Sequence, residues 1–305
     1  MNRILIALAF FLSPFFVFAE TDVAYAIQRG RPKIVNHALV AENGSLLRGA
    51  SGNSFEYDHN NQGYKNLSWW TNVRDDYKLN TIRMFVYCCK PVDSTTVVNL
   101  NTLIAHLDVA VANAKKAGMY IILNLYNKSG YNRDVYEKVW ATLAPRYKNE
   151  THVIYEAFNE PVHWYPSAIS QADMQAQLNM YKYIRSRAPN THIILWSPAH
   201  IDNNLVTKVK STSGINYANA PVGYHPYATS DYNAIGALRS AGYPVIATEM
   251  STIKGSQYIK PYWDYHEAKK ISWIFLDLNP GNTYNPTPHP SVWTKQWPAD
   301  PFYSQ

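Results

Sequence analysis

The chain has 305 residues, 47% of them hydrophobic, which is long and apolar enough for one large core and excludes a disordered chain. Its net charge is +6, but Lys and Arg never occur four in a row, which argues against a nucleic-acid partner. Aromatic residues make up 14% of the chain, so flat apolar faces are available beyond those that a core needs.

The chain begins with a pattern typical of a secretory signal peptide. A basic residue precedes an almost wholly apolar run over residues 4–18, and small Ala19 comes before the first acid. The run is too short to span a membrane comfortably, and Pro14 interrupts it. We therefore expect residues 1–19 to be removed on export. Residues 20–305 are then expected to be a secreted monomer, periplasmic or extracellular, with no membrane anchor.

The mature chain alternates short apolar runs with amphipathic segments. A hairpin is predicted around Asn43-Gly44, and its second arm, residues 46–50, doubles as the first strand of the main sheet. Further strands are predicted at residues 80–86, 119–125, 152–158, 193–196, 222–224, 244–248 and 271–275. Helices are predicted at residues 66–77, 101–117, 135–143, 171–187, 203–210, 232–241 and 257–268. Pro, Asn and Gly dominate after residue 279, so a final helix is expected to be rudimentary.

This order of elements predicts an α/β fold. Strands that alternate with helices form parallel βαβ units, and eight units in about 250 residues indicate a closed (β/α)8 TIM barrel. The alternative is an open doubly wound sheet, which normally carries a Gly-rich phosphate turn after its first strand. Residues 48–52 match such a turn only weakly. We therefore predict one barrel domain over residues 20–305, with a short N-terminal hairpin.

Two carboxylates end apolar runs of this predicted barrel. Glu160 follows the fourth barrel strand and Glu249 follows the seventh. In such a barrel the residues at the carboxyl ends of the strands point into the active site. Glycoside hydrolysis needs two carboxyl groups there, one to protonate the leaving oxygen and one to attack the sugar carbon. Other candidates for the same cleft end or follow neighbouring strands: Arg83, Asn127, Asn159, Trp164, Trp196, His225, Tyr227 and Trp273.

These residues resemble glycoside hydrolase family 5, whose barrel enzymes carry catalytic glutamates on the fourth and seventh strands. The resemblance rests on Asn159-Glu160-Pro161, Glu249, Arg83, His225, Tyr227, Trp273 and, on the first strand, Leu47-Arg48-Gly49. It implies that Glu160 is the general acid and base and that Glu249 is the nucleophile. It needs neither a cofactor nor a metal.

The resemblance also implies roles for the neighbouring side chains. Asn159 would bond the sugar 2-hydroxyl, and Arg83 and Tyr227 would hold Glu249 charged and oriented. An arginine and a hydroxyl donor do lower the pKa of a carboxyl group. His225 would line the same cleft, and Trp273 would form a platform under the sugar at the point of cleavage. Trp164 and Trp196 are either sugar platforms or ordinary packing.

The expected partner is a β-linked polysaccharide or oligosaccharide. The first expectation is an endo-β-1,4-glucanase, and the alternative is an endo-β-1,4-mannanase or another β-glycanase of the same family. Many members carry a His after the third strand, where this chain has Leu125-Tyr126-Asn127. The subfamily and the backbone sugar are therefore left open.

Two readings from other classes remain. A metal-dependent barrel hydrolase would use His200, His225 and Asp277, although no His-x-His lies on the first strand and no Lys ends the fourth. A sugar-binding protein without catalysis would lack one carboxylate, and both are present. The adjacent pair Cys88-Cys89 is either two small apolar residues in a loop or a vicinal disulfide at the rim of the cleft.

Overall fold

Among the residues that the structure describes, ten β-strands form one sheet, and eight of them close into a parallel barrel. The computed structural model describes residues 28–52, 63–87, 100–126, 131, 133–161, 165–227, 231–250, 260–276 and 298–304. Two short strands come first, β1 (Lys33–Val35) and β2 (Ala38–Val40). The barrel strands are β3 (Arg48–Gly52), β4 (Thr81–Tyr87), β5 (Tyr120–Tyr126), β6 (Val153–Asn159), β7 (Ile193–Trp196), β8 (Val222–Tyr224), β9 (Val245–Met250) and β10 (Trp273–Phe275).

The barrel closes where β10 pairs with β3. Parallel pairing runs in order from β3 to β10, and Ile274 lies opposite Gly49 at the closing seam. A Cβ on Gly49 would lie 2.5 Å from the carbonyl oxygen of Thr81 and 2.7 Å from Cδ1 of Ile274. The backbones therefore approach too closely at this point for any side chain. The predicted TIM barrel is confirmed.

Seven helices pack around the barrel in the part of the chain that the structure describes. They are α1 (Leu67–Tyr77), α2 (Leu100–Lys116), α3 (Arg133–Tyr147), α4 (Gln171–Arg185), α5 (Asn203–Ser211), α6 (Tyr232–Ser240) and α7 (Lys260–Lys269). Ser170 caps the N-terminus of α4, since its hydroxyl accepts the backbone N–H of Asp173 and the Asp173 carboxylate accepts that of Ser170. None of these helices is long and apolar enough to cross a membrane.

Helix α3 was predicted to end at residue 143 but runs on to Tyr147, with Pro145 inside its last turn. Two contacts explain the extension. Tyr147 is buried in the core. The hydroxyl of Tyr155 donates to the carbonyl oxygen of Ala144 at 2.9 Å, which satisfies an acceptor that the helix end leaves open.

The N-terminal hairpin differs from its prediction. The hairpin joins β1 and β2 through Asn36 and His37, whose φ angles of 49° and 57° are left-handed. The predicted Asn-Gly turn also exists, but it is followed by a single antiparallel bridge from Val40 to Leu46 rather than by a full second arm. β2 pairs with β9, so the hairpin lies against the amino end of the barrel.

The barrel interior changes from apolar to polar along its axis. One interior cluster contains Leu47, Tyr120, Ile122, Ile154, Ile194, Ile246 and Ile274. Towards the carboxyl ends of the strands the buried interior residues include Arg83, Glu156, Asn159 and Glu249. A parallel barrel therefore supplies a rigid apolar base beneath a charged cleft. The predicted signal peptide and Cys88-Cys89 lie outside the described residues, whereas the chain after residue 279 is described from residue 298 on and contains the 3₁₀ turn Pro301–Ser304.

Candidate active site

The end of β6 delivers three polar residues to the cleft. Asn124 of β5 pairs with Glu156, yet Tyr126 pairs with Asn159, so β6 carries one extra residue in this interval. Such a bulge bends a strand and re-aims its side chains. It brings Glu156 and Asn159 to the same interior face, and Glu160 follows with a φ of 44°.

Arg83 is the fixed centre of the cluster. Its side chain is fully buried on β4 and holds Glu156 in a bidentate pair, with Nε–Oε2 at 2.6 Å and Nη2–Oε1 at 3.1 Å. Nη2 also donates to Oδ1 of Asn159 at 2.6 Å, and Nη1 donates to Oε2 of Glu249 at 2.9 Å. A buried charge of this kind is tolerated because it is both paired and hydrogen-bonded.

Glu249 is held as a charged carboxylate. Its Oε2 accepts from Arg83, and its Oε1 accepts from the hydroxyl of Tyr227. Burial alone would raise the pKa of Glu249, but the charges of His225 and Arg83 and the hydrogen bonds from Tyr227 and Arg83 outweigh it and lower the pKa below its ordinary value. Glu249 therefore stays ionised in mildly acidic solution.

Glu160 has a different environment. Its Oε1 lies 2.6 Å from Nδ1 of His225, within hydrogen-bond distance of the imidazole. The backbone N–H of Glu160 donates to the carbonyl oxygen of Ser197 at 3.1 Å, and that of His225 to Pro198 at 3.0 Å. The Glu160 side chain is 18% exposed, against 7% for Glu249, so Glu160 is the more open of the two carboxyl groups.

The two carboxyl groups face each other across a short gap. One oxygen of Glu160, one oxygen of Glu249 and one ring nitrogen of His225 lie within 4.8 Å of one another. The arrangement therefore places the ionised carboxylate of Glu249 within 4.8 Å of an oxygen of a second carboxyl group, that of Glu160.

The same three residues have the spacing of a cation site. Both oxygens of Glu249 already accept hydrogen bonds, however, and the guanidinium of Arg83 opposes a second positive charge at that carboxylate. His200, a ligand in the metal-hydrolase reading, is not part of this group, and Asp277 lies outside the described residues.

Trp273 is not a sugar platform. It is the first residue of β10, fully buried, and its ring packs against Trp263 while its Nε1 donates to Glu267 of α7 at 2.9 Å. Ile274, the next residue, faces the barrel interior. Since side chains alternate along a strand, Trp273 faces the helices, and the predicted role was wrong.

Trp196 is packing as well. It is 3% exposed, lies in the core cluster between the strands and the helices, and its Nε1 donates to the hydroxyl of Tyr217. Its left-handed φ of 78° ends β7 and removes the ring from the cleft. Trp164 lies outside the described residues.

The structure brings together Arg83, Asn159, Glu160, His225, Tyr227 and Glu249 of the predicted set. Sequence reasoning missed an aromatic pair beside them. Tyr165, on the connection after β6, stacks on His200, which follows β7, with ring centroids 4.7 Å apart. Each aromatic follows a barrel strand, which was the only signal available in the sequence.

The sequence model described as Cellulase (glycosyl hydrolase family 5) matches residues 46–282. The chain belongs to glycosyl hydrolase family 5. The resemblance seen in the strand-end residues is therefore confirmed, and the protein is a glycoside hydrolase by family.

A curated relative of this family 5 protein is Endoglucanase E-5 of Thermobifida fusca. The two are 27% identical over 218 residues, which is 65% of this chain and 45% of the relative. The chain thus spans a little less than half the length of the curated relative that it matches.

Solved structures share the fold of this family 5 chain. Cellulase Cel5C_n superposes with a TM-score of 0.68 at 17% identity, covering 91% of this chain and 92% of that one. The β-glucanase SdGluc5_26A of Saccharophagus degradans, solved with cellotetraose, gives a TM-score of 0.67 at 17% identity over 88% and 92% of the two chains. The catalytic domain of Thermobifida fusca endoglucanase Cel5A gives 0.63 at 23% identity over 88% and 92%.

Proposed function

We propose that the protein is a secreted, retaining endo-β-1,4-glucanase in which Glu249 is the nucleophile and Glu160 is the general acid and base. The observation that carries the proposal is the gap within 4.8 Å between oxygens of the two carboxyl groups. Retaining glycosidases place these groups about 5–5.5 Å apart, whereas inverting enzymes leave about 6.5–9.5 Å for a water molecule.

The first step forms a covalent intermediate. An oxygen of Glu249 attacks the anomeric carbon while the bond from that carbon to the glycosidic oxygen breaks. Glu160 gives its proton to the departing oxygen, which leaves as a sugar hydroxyl. In the second step Glu160 takes a proton from water, the water oxygen attacks the anomeric carbon, and Glu249 is released as a carboxylate.

Arg83 and Tyr227 prepare Glu249 for this attack. Their hydrogen bonds reach different oxygens of the carboxylate, so they fix its orientation as well as its charge. The protein meets the cost of ordering these groups during folding, and no reorganisation is needed when the substrate reacts.

Asn159 is positioned for a substrate hydroxyl. Its Oδ1 accepts from Arg83, which has donors only, and this contact fixes which way the amide faces. Its Nδ2 hydrogens are then directed away from Arg83. We assign them to the 2-hydroxyl of the attacked sugar, where a hydrogen bond that strengthens in the transition state adds to the rate.

Export and the choice of glucan have their own support. Residues 1–19 have the pattern of a signal peptide, which directs the chain to the periplasm or the medium. The similar proteins reported above are named endoglucanase, cellulase and β-glucanase.

A reducing-sugar assay on carboxymethyl cellulose, mixed-linkage β-glucan, mannan, xylan and xyloglucan tests the substrate. Turnover of mannan alone would replace the glucanase assignment with the mannanase one.

The stereochemistry of the product tests the mechanism. Proton NMR taken immediately after cleavage of a cello-oligosaccharide is expected to show the β-anomer first, with the α-anomer appearing later by mutarotation. An initial α-anomer would contradict the double displacement whatever the preferred glycan.

Dialysis against EDTA separates the proposal from the metal-dependent reading. Acid–base chemistry by Glu160 and Glu249 predicts unchanged turnover after the chelator is removed. Loss of activity that a divalent cation restores would favour the cation site formed by Glu160, His225 and Glu249.

A further inference from the structure

The proposed mechanism leaves one carboxylate of the cluster without a role. Glu156 lies on β6 with a side chain that is 0% exposed, so it cannot touch a substrate. Both of its oxygens accept hydrogen bonds from Arg83. Any contribution of Glu156 to the reaction therefore passes through Arg83.

Glu156 fixes the direction of the Arg83 guanidinium. Its Oε2 accepts from Nε at 2.6 Å and its Oε1 accepts from Nη2 at 3.1 Å, which occupies one edge of the planar group. A fork of two hydrogen bonds sets the plane of the guanidinium as well as its distance. The remaining nitrogen, Nη1, then points at Oε2 of Glu249, 2.9 Å away. Nη2 also donates to Asn159, so the position of that amide depends on the same edge.

Glu156 also shares the charge of Arg83 with Glu249. Burial lowers the pKa of Arg83, but the charges and hydrogen bonds of Glu156 and Glu249 outweigh it and raise the pKa above its ordinary value. One lasting positive charge thus lies between two carboxylates. Each carboxylate weakens the hold of Arg83 on the other, because like charges repel. A carboxylate that is held less tightly is more basic and attacks carbon faster.

The other titratable groups around Glu249 come from neighbouring strand ends. Among the described residues the whole set is Arg83 on β4, Glu156 and Glu160 on and after β6, and His225 and Tyr227 after β8. Nδ1 of His225 lies 4.0 Å from Oε2 of Glu249. Within this set Arg83 is the residue that bonds both Glu156 and Glu249, so a change at Glu156 reaches Glu249 through one guanidinium.

We propose that Glu156 is a positioning residue for the nucleophile: it orients Arg83 and offsets part of its charge, so that Glu249 stays ionised and yet keeps its reactivity. This inference rests on the proposed function. Removing the charge of Glu156 should make Glu249 easier to ionise and slower to react. A carboxylate that only stabilised the barrel would change neither property.

The rate at which Glu249 is trapped measures both properties. A 2,4-dinitrophenyl 2-deoxy-2-fluoro-β-cellobioside needs no acid for its departure, so its first-order trapping rate constant depends on ionised Glu249. Misfolded chains lower the final labelled fraction but not this rate constant. In Glu156→Gln the acid limb of the rate constant is expected to move to lower pH by about one unit, because a nearby negative charge is lost. The plateau at neutral pH is expected to fall about tenfold, which is about 1.4 kcal/mol of the barrier.

Glu156→Asp separates charge from position. It keeps the charge on a shorter side chain, so its acid limb should stay at the parental pH while its plateau falls because Arg83 is displaced. Glu267→Gln is the matched control. Glu267 of α7 forms the same kind of bidentate pair with Arg48 of β3, with Nε–Oε1 at 2.7 Å and Nη2–Oε2 at 2.9 Å. This control should leave both the limb and the plateau at their parental values.

An unmoved acid limb in Glu156→Gln would overturn the proposal, whatever happens to the plateau. If that variant does not fold, Glu156→Asp decides, and a parental plateau would overturn the orienting role. Failure of the proposed function is seen separately, as a parent protein that takes up no label. The ionisation of Glu249 is then followed by ¹³C NMR of its carboxyl carbon, and a midpoint that Glu156→Gln leaves unchanged would contradict the shared charge.

Discussion

Two buried arginines, one at each end of the barrel, hold carboxylates for different purposes. At the carboxyl end Arg83 bonds Glu156 and Glu249. At the amino end Arg29 bonds Asp300 at 2.8 Å and Glu42 at 3.2 Å. Both guanidinium groups also lie over aromatic rings, Arg83 over Phe85 and Arg29 over Phe302. The interaction chemistry is thus nearly the same at the two ends.

The two networks differ in how completely protein partners enclose their carboxylates. Asp300 also accepts from Nδ2 of Asn43 at 2.8 Å and Nδ2 of Asn80 at 2.7 Å, and its side chain is only 1% exposed. Although Glu42 is 23% exposed, the pair of Arg29 with Asp300 is enclosed, and this closed network joins residues that are 271 positions apart. The carboxyl-end network opens onto the cleft through Glu160. The enclosed pair of Arg29 and Asp300 stabilises the fold. The pair of Arg83 and Glu249, which faces the cleft, keeps a reactive carboxylate charged and oriented.

The largest expected effect is at the open network. Glu249→Ala removes the attacking oxygen and should lower turnover by a factor on the order of 10⁴ or more. Azide can enter the space left by the carboxylate and attack in its place, so added azide should restore activity and give an inverted glycosyl azide. Product analysis by NMR checks both results.

Glu160→Ala is the matched comparison. The covalent step needs no acid when the leaving group is a dinitrophenolate, so this variant should still form the intermediate with such a substrate, and azide should then give a retained product. Identical azide products from the two variants would contradict the assignment of separate roles.

The next effect is at the closed network. Arg29→Met leaves the buried Asp300 and the partly exposed Glu42 without their cation, which should lower the free energy of unfolding by about 3–5 kcal/mol. Because the contacts of Arg29 with described residues lie at the amino end, kcat at 25 °C should stay close to the parental value. Urea unfolding followed by fluorescence, together with a steady-state assay, measures the two quantities.

Arg146→Met supplies the control for this loss. Arg146 pairs with Asp108 on the surface, where the side chains are 45% and 38% exposed, so its removal should cost less than about 1 kcal/mol. A fall in kcat for Arg29→Met beyond that of the control would show that the two ends of the barrel are coupled.

The smallest expected effect is a shift in the pH dependence of kcat/KM. The hydrogen bond from Tyr227 contributes to the lowered pKa of Glu249, so Tyr227→Phe should raise that pKa. The reaction needs ionised Glu249, and the acid limb of kcat/KM should therefore move to higher pH while the basic limb stays in place. The maximal kcat/KM should fall by about tenfold, as for loss of one hydrogen bond to a charged group. An unmoved acid limb would show that Tyr227 does not act on Glu249.

The sequence was sufficient for the barrel and for the residues that bond Glu249. The ends of β6 and β9 are marked by carboxylates after apolar runs, and the strand order follows from the alternation of periodicities. Those signals are local. They place Glu160, Glu249, Arg83 and Tyr227 at one end of the barrel without any knowledge of side-chain contacts.

The wrong predictions concern side chains whose role depends on whether they point into the barrel or towards the helices. A barrel strand is buried on both faces, so the run around Trp273 does not reveal which residues point inwards. The left-handed φ of Trp196 and the bulge in β6 also leave no clear local pattern. The Arg29–Asp300 pair depends on contacts between distant parts of the chain, which a single sequence does not show.

The identity of the nucleophile is tested most directly by trapping the intermediate. A 2-deoxy-2-fluoro-β-cellobioside with a dinitrophenolate leaving group should react once and accumulate on the protein, because the fluorine slows the second step. Peptide mass spectrometry is expected to find one fluorocellobiosyl group per chain, attached to Glu249. A label on Glu160, or no label together with an inverted product, would contradict the account.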